Sequence, residues 1–235
     1  MRFTIADQIF SNYPETIVGV VIARGINNIG YEPEINNFLR EQEAKIVGEL
    51  SGVGIDEHPR IARWRAAYKA FGAKPKKYYS SIESLLRRVT SDQQVPNINK
   101  LVDIYNGLSR KYLVPAGGED LDKIQGDIAL TLAGDDEPPI RLIGERDERP
   151  PNAGEVIYKD DIGAICRRWN WREADRTKLT ESTQNAVLVI EALSSADRSS
   201  VEGSTGEMVD LILRYCGGNA RSEILEKHRP AIELI

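Results

Sequence analysis

The apolar positions of this chain change period along its length. Residues 3–10 and 16–24 are rich in β-branched side chains and predict two strands, split by Ser11-Asn12-Tyr13-Pro14. A polar helix is expected over about 35–50, closed by Ser51-Gly52, and Gly52-Val53-Gly54 reads as a turn. Three helices follow. The first opens at Pro59, carries Ile61, Trp64, Tyr68 and Phe71 at helical spacing, and stops at Gly72. The second starts on the capping-box pattern Ser80-x-x-Glu83, with Ile82, Leu85, Leu86 and Val89 as its stripe. The third spans about 97–113, with Leu101, Ile104, Tyr105, Leu108 and Tyr112 on one face. After Pro115-Ala116-Gly117-Gly118 the period returns to two. Strands are predicted near 127–133, 140–143, 155–158, 164–171 and 185–191, then a helix over 207–215 stopped by Gly217-Gly218 and a weakly helical tail from Ser222. Strands, helices, then strands predict an α+β fold with a helical layer on a sheet system. The domain division expected is a short N-terminal extension, residues 1–54, packed on a main domain of residues 55–235.

Composition narrows the chemistry. With 235 residues, 41% hydrophobic and 29% charged, the chain suits a globular protein with a sizeable core. No apolar run approaches the roughly 18 residues of a membrane span. The first ten residues carry one basic side chain and no signal-peptide body, and the two cysteines, Cys166 and Cys216, are far apart, so a reducing cytoplasm is expected. Two histidines, His58 and His228, and no Cys-x-x-Cys leave no zinc set, and there is no P-loop or nucleophile elbow. No metal and no cofactor are therefore expected.

Three features carry candidate chemistry. Between Arg60 and Arg88 nine basic residues face a single acid, Glu83, in a chain of net charge −5. Aromatic residues are interleaved, so the segment fits either RNA contact or a helix with a solvated outer face. The stiff loop Lys74-Pro75-Lys76-Lys77-Tyr78-Tyr79 is its most RNA-like part. In the third helix Asn99, Asp103, Asn106 and Arg110 share one face. Asn99 suits an N-cap, whereas Asn106, near the helix end, fits either a pocket or plain surface. The densest stretch is Cys166-Arg167-Arg168-Trp169-Asn170-Trp171-Arg172-Glu173. Read as a strand, it sets Arg168, Asn170 and Arg172 on one face and Trp169 and Trp171 on the other. The first face fits an anion-recognising wall or a surface salt-bridge ladder, with Glu155, Asp160 and Asp161 as possible counter-charges.

Taken together these residues resemble a known family, the central editing, tRNA-binding domain of the bacterial phenylalanyl-tRNA synthetase beta subunit, in a free-standing version. The resemblance covers roughly residues 55–193. It rests on Asn99-Lys100-Leu101-Val102-Asp103-Ile104-Tyr105-Asn106, then Pro115, Asp120 and Leu121-Asp122-Lys123-Ile124, with Arg167 to Glu173 and Thr180-Glu181-Ser182-Thr183 pointing to the free-standing branch. It implies an editing-domain-like fold with a β-sandwich core of mixed sheets and a layer of helices. It implies metal-free hydrolysis of a misacylated aminoacyl-tRNA ester, with Asn106 matching a pocket asparagine and the terminal ribose hydroxyl assisting. Two departures stand out: Gly117 replaces the family histidine, and the acid that recognises a tyrosine hydroxyl falls near Arg176.

The function expected is binding of an amino acid or an aminoacyl-tRNA 3′ end, with ester hydrolysis and without ATP-dependent charging. The competing expectation is a non-catalytic small-molecule or protein-binding module; a structural adaptor has no specific feature behind it. The expected catalytic residue is Asn106. Substrate contacts are expected from Asp103, Asn106, Arg168, Asn170, Arg172 and Glu155, and RNA contacts from Lys74, Lys76, Lys77, Arg87 and Arg88. The expected partners are tRNA and an amino-acid-like molecule.

Overall fold

The computed structural model describes residues 1–235 except 51, 53 and 92. The expected Ser51-Gly52 helix stop and the Gly52-Val53-Gly54 turn therefore fall partly outside the described residues. In chain order the elements are β1 (Arg2–Ile5), α1 (Asp7–Asn12), β2 (Ile17–Arg24), α2 (Pro33–Glu49), α3 (Pro59–Ala70), α4 (Ser81–Val89), α5 (Lys100–Tyr112), β3 (Ala116–Asp120) and β4 (Ile128–Leu132). They continue with β5 (Ile140–Arg141), β6 (Glu148–Arg149), β7 (Val156–Lys159), β8 (Ala164–Arg167), β9 (Arg172–Glu173), β10 (Asn185–Ala192), α6 (Arg198–Tyr215), β11 (Asn219–Leu225) and β12 (Ala231–Glu233).

The architecture is α+β. One sheet has the order β12-β1-β4-β7-β8-β9 and a second β11-β2-β10-β3; β5 and β6 form a small ribbon. All pairings are antiparallel except β1 with β4. The period of two in β2 explains how the sheets stack. Val18, Val20 and Ile22 pack with Phe3, Ile5, Leu130, Val156 and Ile165 of the first sheet. Ile17, Val21 and Ala23 pack on the other side, with Leu101 and Leu108 of α5 and Met208 and Ile212 of α6. The result is a β-sandwich with a helical layer on its second sheet. A one-residue slip of β2 would exchange its two faces, but both are apolar, so the ladders to β10 and β11 also hold the register. Helix α3 sends Trp64 and Tyr68 into the sandwich against the fully buried Trp169, with Trp64 and Trp169 edge-to-face at 5.1 Å.

Several predicted elements need correction. The first strand stops at Ile5. Ala6 then takes the extended N-cap conformation and Asp7 starts α1, where an acid suits the helix dipole. The glycine-rich segment after Pro115, ahead of the first strand predicted there, is itself strand β3. A Cβ on Gly118 would come 3.0 Å from the Val187 carbonyl oxygen, so glycine lets the strand lie against β10. Helix α6 starts at Arg198 rather than 207, through weak helix formers that permit close packing: a Cβ on Gly19 of β2 would lie 2.1 Å from Thr205 Oγ1. The tail is not helical. It forms β11 and β12, because each borders an open strand edge, at β2 and β1 respectively. Residues 1–54, set apart in the sequence as an extension, supply β1 between β12 and β4, and β2 between β11 and β10.

Candidate functional site

A cavity of about 670 Å³ opens between the two sheets and under α4 and α5. Its apolar floor comes from both inner faces, including Phe3 of β1, Ile128 of β4, Ile165 of β8, and Val187 and Val189 of β10. Leu85 and Arg88 of α4 and Tyr105 and Asn106 of α5 wall one side, and Trp171 and Arg172 another. Asn106 is half-buried, and its amide makes no hydrogen bond to protein among the described residues.

Three glutamates line this cavity, and none was expected at the site. Glu191 continues the inward phase of Val187 and Val189 on β10. Its carboxylate accepts Trp169 Nε1–H at 2.6 Å, Asn170 Nδ2–H at 2.7 Å and the Tyr158 hydroxyl. Burial pushes its pKa up, against those three donors. Glu173 of β9 and Glu119 of β3 form a second acidic group. Glu173 is packed deep in the protein and reaches solvent through the cavity; burial raises its pKa to about 7, and the Gly118 N–H at 3.1 Å opposes the rise. Burial pushes Glu119 well up, and the charge on Glu173 pushes it further; its Oε2 is buried without a partner among the described residues. Glu173 therefore ionises first, and its charge helps hold Glu119 protonated. Gly117 is part of this arrangement, because a Cβ there would fall 2.8 Å from Glu173 Oε1. Between the acids lies Cys166, buried, with burial first and then Glu173, Glu119 and Glu191 raising its pKa far above neutral, so it stays a thiol.

The expected arginine face is not a strand face. Strand β8 ends at Arg167, and both Arg168 (φ 49°) and Trp169 (φ 66°) are left-handed, which turns the chain into β9. This breaks the alternation. Trp169 is fully buried and Trp171 half-buried, and both border the cavity. Arg172 lies at the cavity wall, largely exposed and 3.3 Å from Glu145. Arg168 lies outside that cavity, its guanidinium against the rings of Tyr78 and Trp171. Asn170 lines the cavity but spends its amide on Glu191 and on the Tyr68 hydroxyl at 3.0 Å.

The remaining expected residues divide. Asp103 is buried away from the cavity and accepts Asn97 Nδ2–H at 2.8 Å and Ile98 N–H at 2.9 Å, bracing the start of α5; Asn99 is that helix's N-cap. Glu155 is buried outside the cavity in a two-pronged pair with Arg167, at 2.9 and 2.8 Å. Burial would raise Glu155, but hydrogen bonds from Arg167 and the charges of Arg168 and Arg167 outweigh it and hold it below the usual carboxylate value. Lys74, Lys76 and Lys77 stand on an exposed loop. Arg87 is paired with Glu83, which also binds Arg65, while Arg88 donates to the Gln94 carbonyl and reaches the cavity. Arg110, read as the last member of a polar ridge, is buried.

Comparison with family models matches residues 63–217 to the B3/4 domain. The chain belongs to the B3/4 domain family. At that level the match agrees with the resemblance to the phenylalanyl-tRNA synthetase beta subunit. No curated protein matches this B3/4 domain. Among solved structures it is similar to an N-terminal fragment of the phenylalanyl-tRNA synthetase beta-subunit from Pyrococcus horikoshii, at 11% identity and a TM-score of 0.48, over 93% of this chain and 50% of that one. The chain thus spans about half the length of that fragment. No helix of the described residues is long and apolar enough to cross a membrane.

Proposed function

We propose that this B3/4 domain binds the ammonium group of an amino-acid-like ligand, as a free molecule or as the aminoacyl end of tRNA, and hydrolyses the ester where one is present. The observation that carries the reading is the Glu119–Glu173 carboxyl pair in the wall of a largely apolar cavity. An ionised Glu173, half-buried at the cavity wall beside an unpartnered Glu119 oxygen, is costly alone and is relieved by a cation with several N–H donors. The apolar floor suits the body of an amino acid better than a bare ion. This reverses the polarity expected at the sequence level, where arginines were to hold an anion.

In the ester reaction the ammonium rests on Glu173 and the Asn106 amide faces the carbonyl and its attacking water. Water oxygen adds to the carbonyl carbon, the ester C–O bond breaks, and the ribose oxygen leaves with the water's proton. Lys74, Lys76 and Lys77 supply phosphate contacts for the tRNA backbone.

The competing reading is a module that binds the amine without hydrolysis. Gly117, where the family has histidine, and Arg176, locked onto Asp160 at 2.9 and 2.6 Å, favour it. Deacylation of a panel of misacylated tRNAs, run beside calorimetric titration of free amino acids, separates the two. Ester turnover lost in Asn106→Ala supports hydrolysis. Amine binding without turnover supports the module, and neither binding nor turnover refutes the reading of the cavity.

A further inference from the structure

A second, smaller pocket of about 220 Å³ lies beside the main cavity. Its charged lining is Lys74, Lys77, Arg168 and Glu155, with the Tyr78 ring and the Asn152 amide. We propose that this pocket is a phosphate-binding site, distinct from the acidic cavity and built to take the phosphate of a nucleotide.

The charge count favours an anion. Glu155 is the only carboxylate among the lining residues, and both of its oxygens are engaged by Arg167, at 2.9 and 2.8 Å. Neither Lys74 nor Lys77 has a carboxylate within ion-pair distance among the described residues; Lys77 Nζ lies only over the Tyr78 ring, at 5.2 Å. Arg168 adds the decisive observation. Its side chain is 9% exposed, yet its guanidinium makes no hydrogen bond to protein among the described residues, and the nearest carboxylate oxygen, on Glu155, is 3.9 Å away. The Tyr78 and Trp171 rings, 3.7 and 4.5 Å from Arg168 Cζ, hold the charge in place without satisfying its N–H groups. A largely buried guanidinium whose N–H groups open onto the pocket without a protein acceptor is placed to meet a ligand, and tetrahedral phosphate matches a fork plus two point charges better than a single carboxylate does.

The backbone supports the same conclusion. Two successive non-glycine residues, Arg168 and Trp169, are held left-handed. Such conformations are unfavourable and persist where the surroundings enforce them, commonly at functional sites. Here Glu155 Oε1 accepts the Arg168 N–H at 3.1 Å and the Val156 carbonyl accepts the Trp169 N–H at 2.7 Å. The turn thereby aims Arg168 out of the strand and into the pocket. Trp171 joins the two sites, since it packs on Arg168 and also lines the main cavity.

The test follows the indole N–H resonance of Trp171, whose ring packs on the Arg168 guanidinium, in the full chain while inorganic phosphate is titrated against chloride at matched ionic strength. A saturable shift with phosphate is expected. Lys74→Ala combined with Lys77→Ala should weaken it about tenfold or more, as should Arg168→Lys, which keeps the charge and loses the fork. Lys69→Ala removes a positive charge from α3 outside the pocket and should leave the affinity unchanged. Adenosine monophosphate and a short single-stranded RNA then compete with phosphate. Tighter competition by the first assigns a free nucleotide, and by the second an RNA chain. No saturable response beyond that to chloride, or equal weakening by Lys69→Ala, would overturn the site. That failure would leave the amine-binding reading standing, because the acidic cavity is assayed separately.

Discussion

Replacing Glu173 by Gln should stabilise the protein at pH 8 and leave its stability nearly unchanged at pH 4. The reason lies in where the carboxyl sits. Its pKa in the folded protein is about 7, above an ordinary 4.5, because burial penalises the charge more than the Gly118 N–H relieves it. Between those two values the folded protein keeps a proton that the unfolded chain has lost. Stability therefore falls as pH rises from about 4.5 to about 7, and is flat on either side as far as this group is concerned. A shift of that size corresponds to at most about 3 kcal/mol, reduced by whatever water enters through the cavity. Gln fills the same volume, can still accept from Gly118, and never ionises. It also removes the charge that pushes Glu119 upward, which adds to the gain. Urea unfolding at pH 4 and pH 8 measures the difference, which should appear at pH 8 as a midpoint increase of about 1 M. Ligand affinity should move the opposite way. An ammonium needs the ionised carboxyl, so wild-type affinity for an amine should rise with pH up to about 7, and Glu173→Gln should lose that rise. Equal stability changes at both pH values would refute the burial argument. An amine affinity indifferent to both pH and the substitution would refute the assignment of Glu173 to the ammonium.

Four further outcomes follow from the geometry. Gly117→Ala should drive Glu173 off the Gly118 N–H, because the new Cβ meets its Oε1 at 2.8 Å; a loss of about 1 kcal/mol and a changed pH–stability profile are expected from urea unfolding. Glu155→Gln should cost about 3–5 kcal/mol by leaving Arg167, 5% exposed, without its partner, measured by the same method. Asn106→Ala should keep the unfolding midpoint within about 0.5 kcal/mol, while ligand binding or ester turnover, measured by calorimetry and deacylation, falls. Replacing Lys74, Lys76 and Lys77 by Ala should lower the salt slope of tRNA binding by up to about three phosphate equivalents; an unchanged slope in a salt titration would assign the loop to solvent.

Much of the fold was legible because local signals agreed with tertiary need. Ser80 caps α4 through the Glu83 N–H, Pro59 begins α3, and Asn99 caps α5, as the residue types suggest. Failures cluster where packing overrides local preference. Strand β3 and the first half of α6 are rich in small residues, which sequence periodicity treats as breakers. The sandwich uses them for close approach, at Gly118 against β10 and at Thr205 against Gly19. The tail was missed for a related reason. Its residues have little preference of their own, and β11 exists because β2 offers it a ladder.

The cavity was half legible. Asn106 drew notice because an amide near a helix end is hard to explain by propensity, and the structure puts it on the cavity wall. The acids gave a quieter signal. Glu191 stands in phase with Val187 and Val189 on an apolar strand, and an acid at an inward position demands donors. Tyr158, Trp169 and Asn170 provide them. Glu173 drew no role of its own, because reading residues 166–173 as one strand put the attention on Arg168 and Arg172 as a shared face. The alternation rule assumes extended backbone at every position, and two left-handed residues are enough to void it. That one local departure decides the polarity of the site. It sends Arg168 into the small basic pocket, leaves Arg172 at the cavity wall with Glu145, and sets Glu173 beside Gly118 in the cavity. The same turn thus sends neighbouring side chains to different places: Glu173 faces the space between the sheets, and Arg168 faces the Lys74–Lys77 loop.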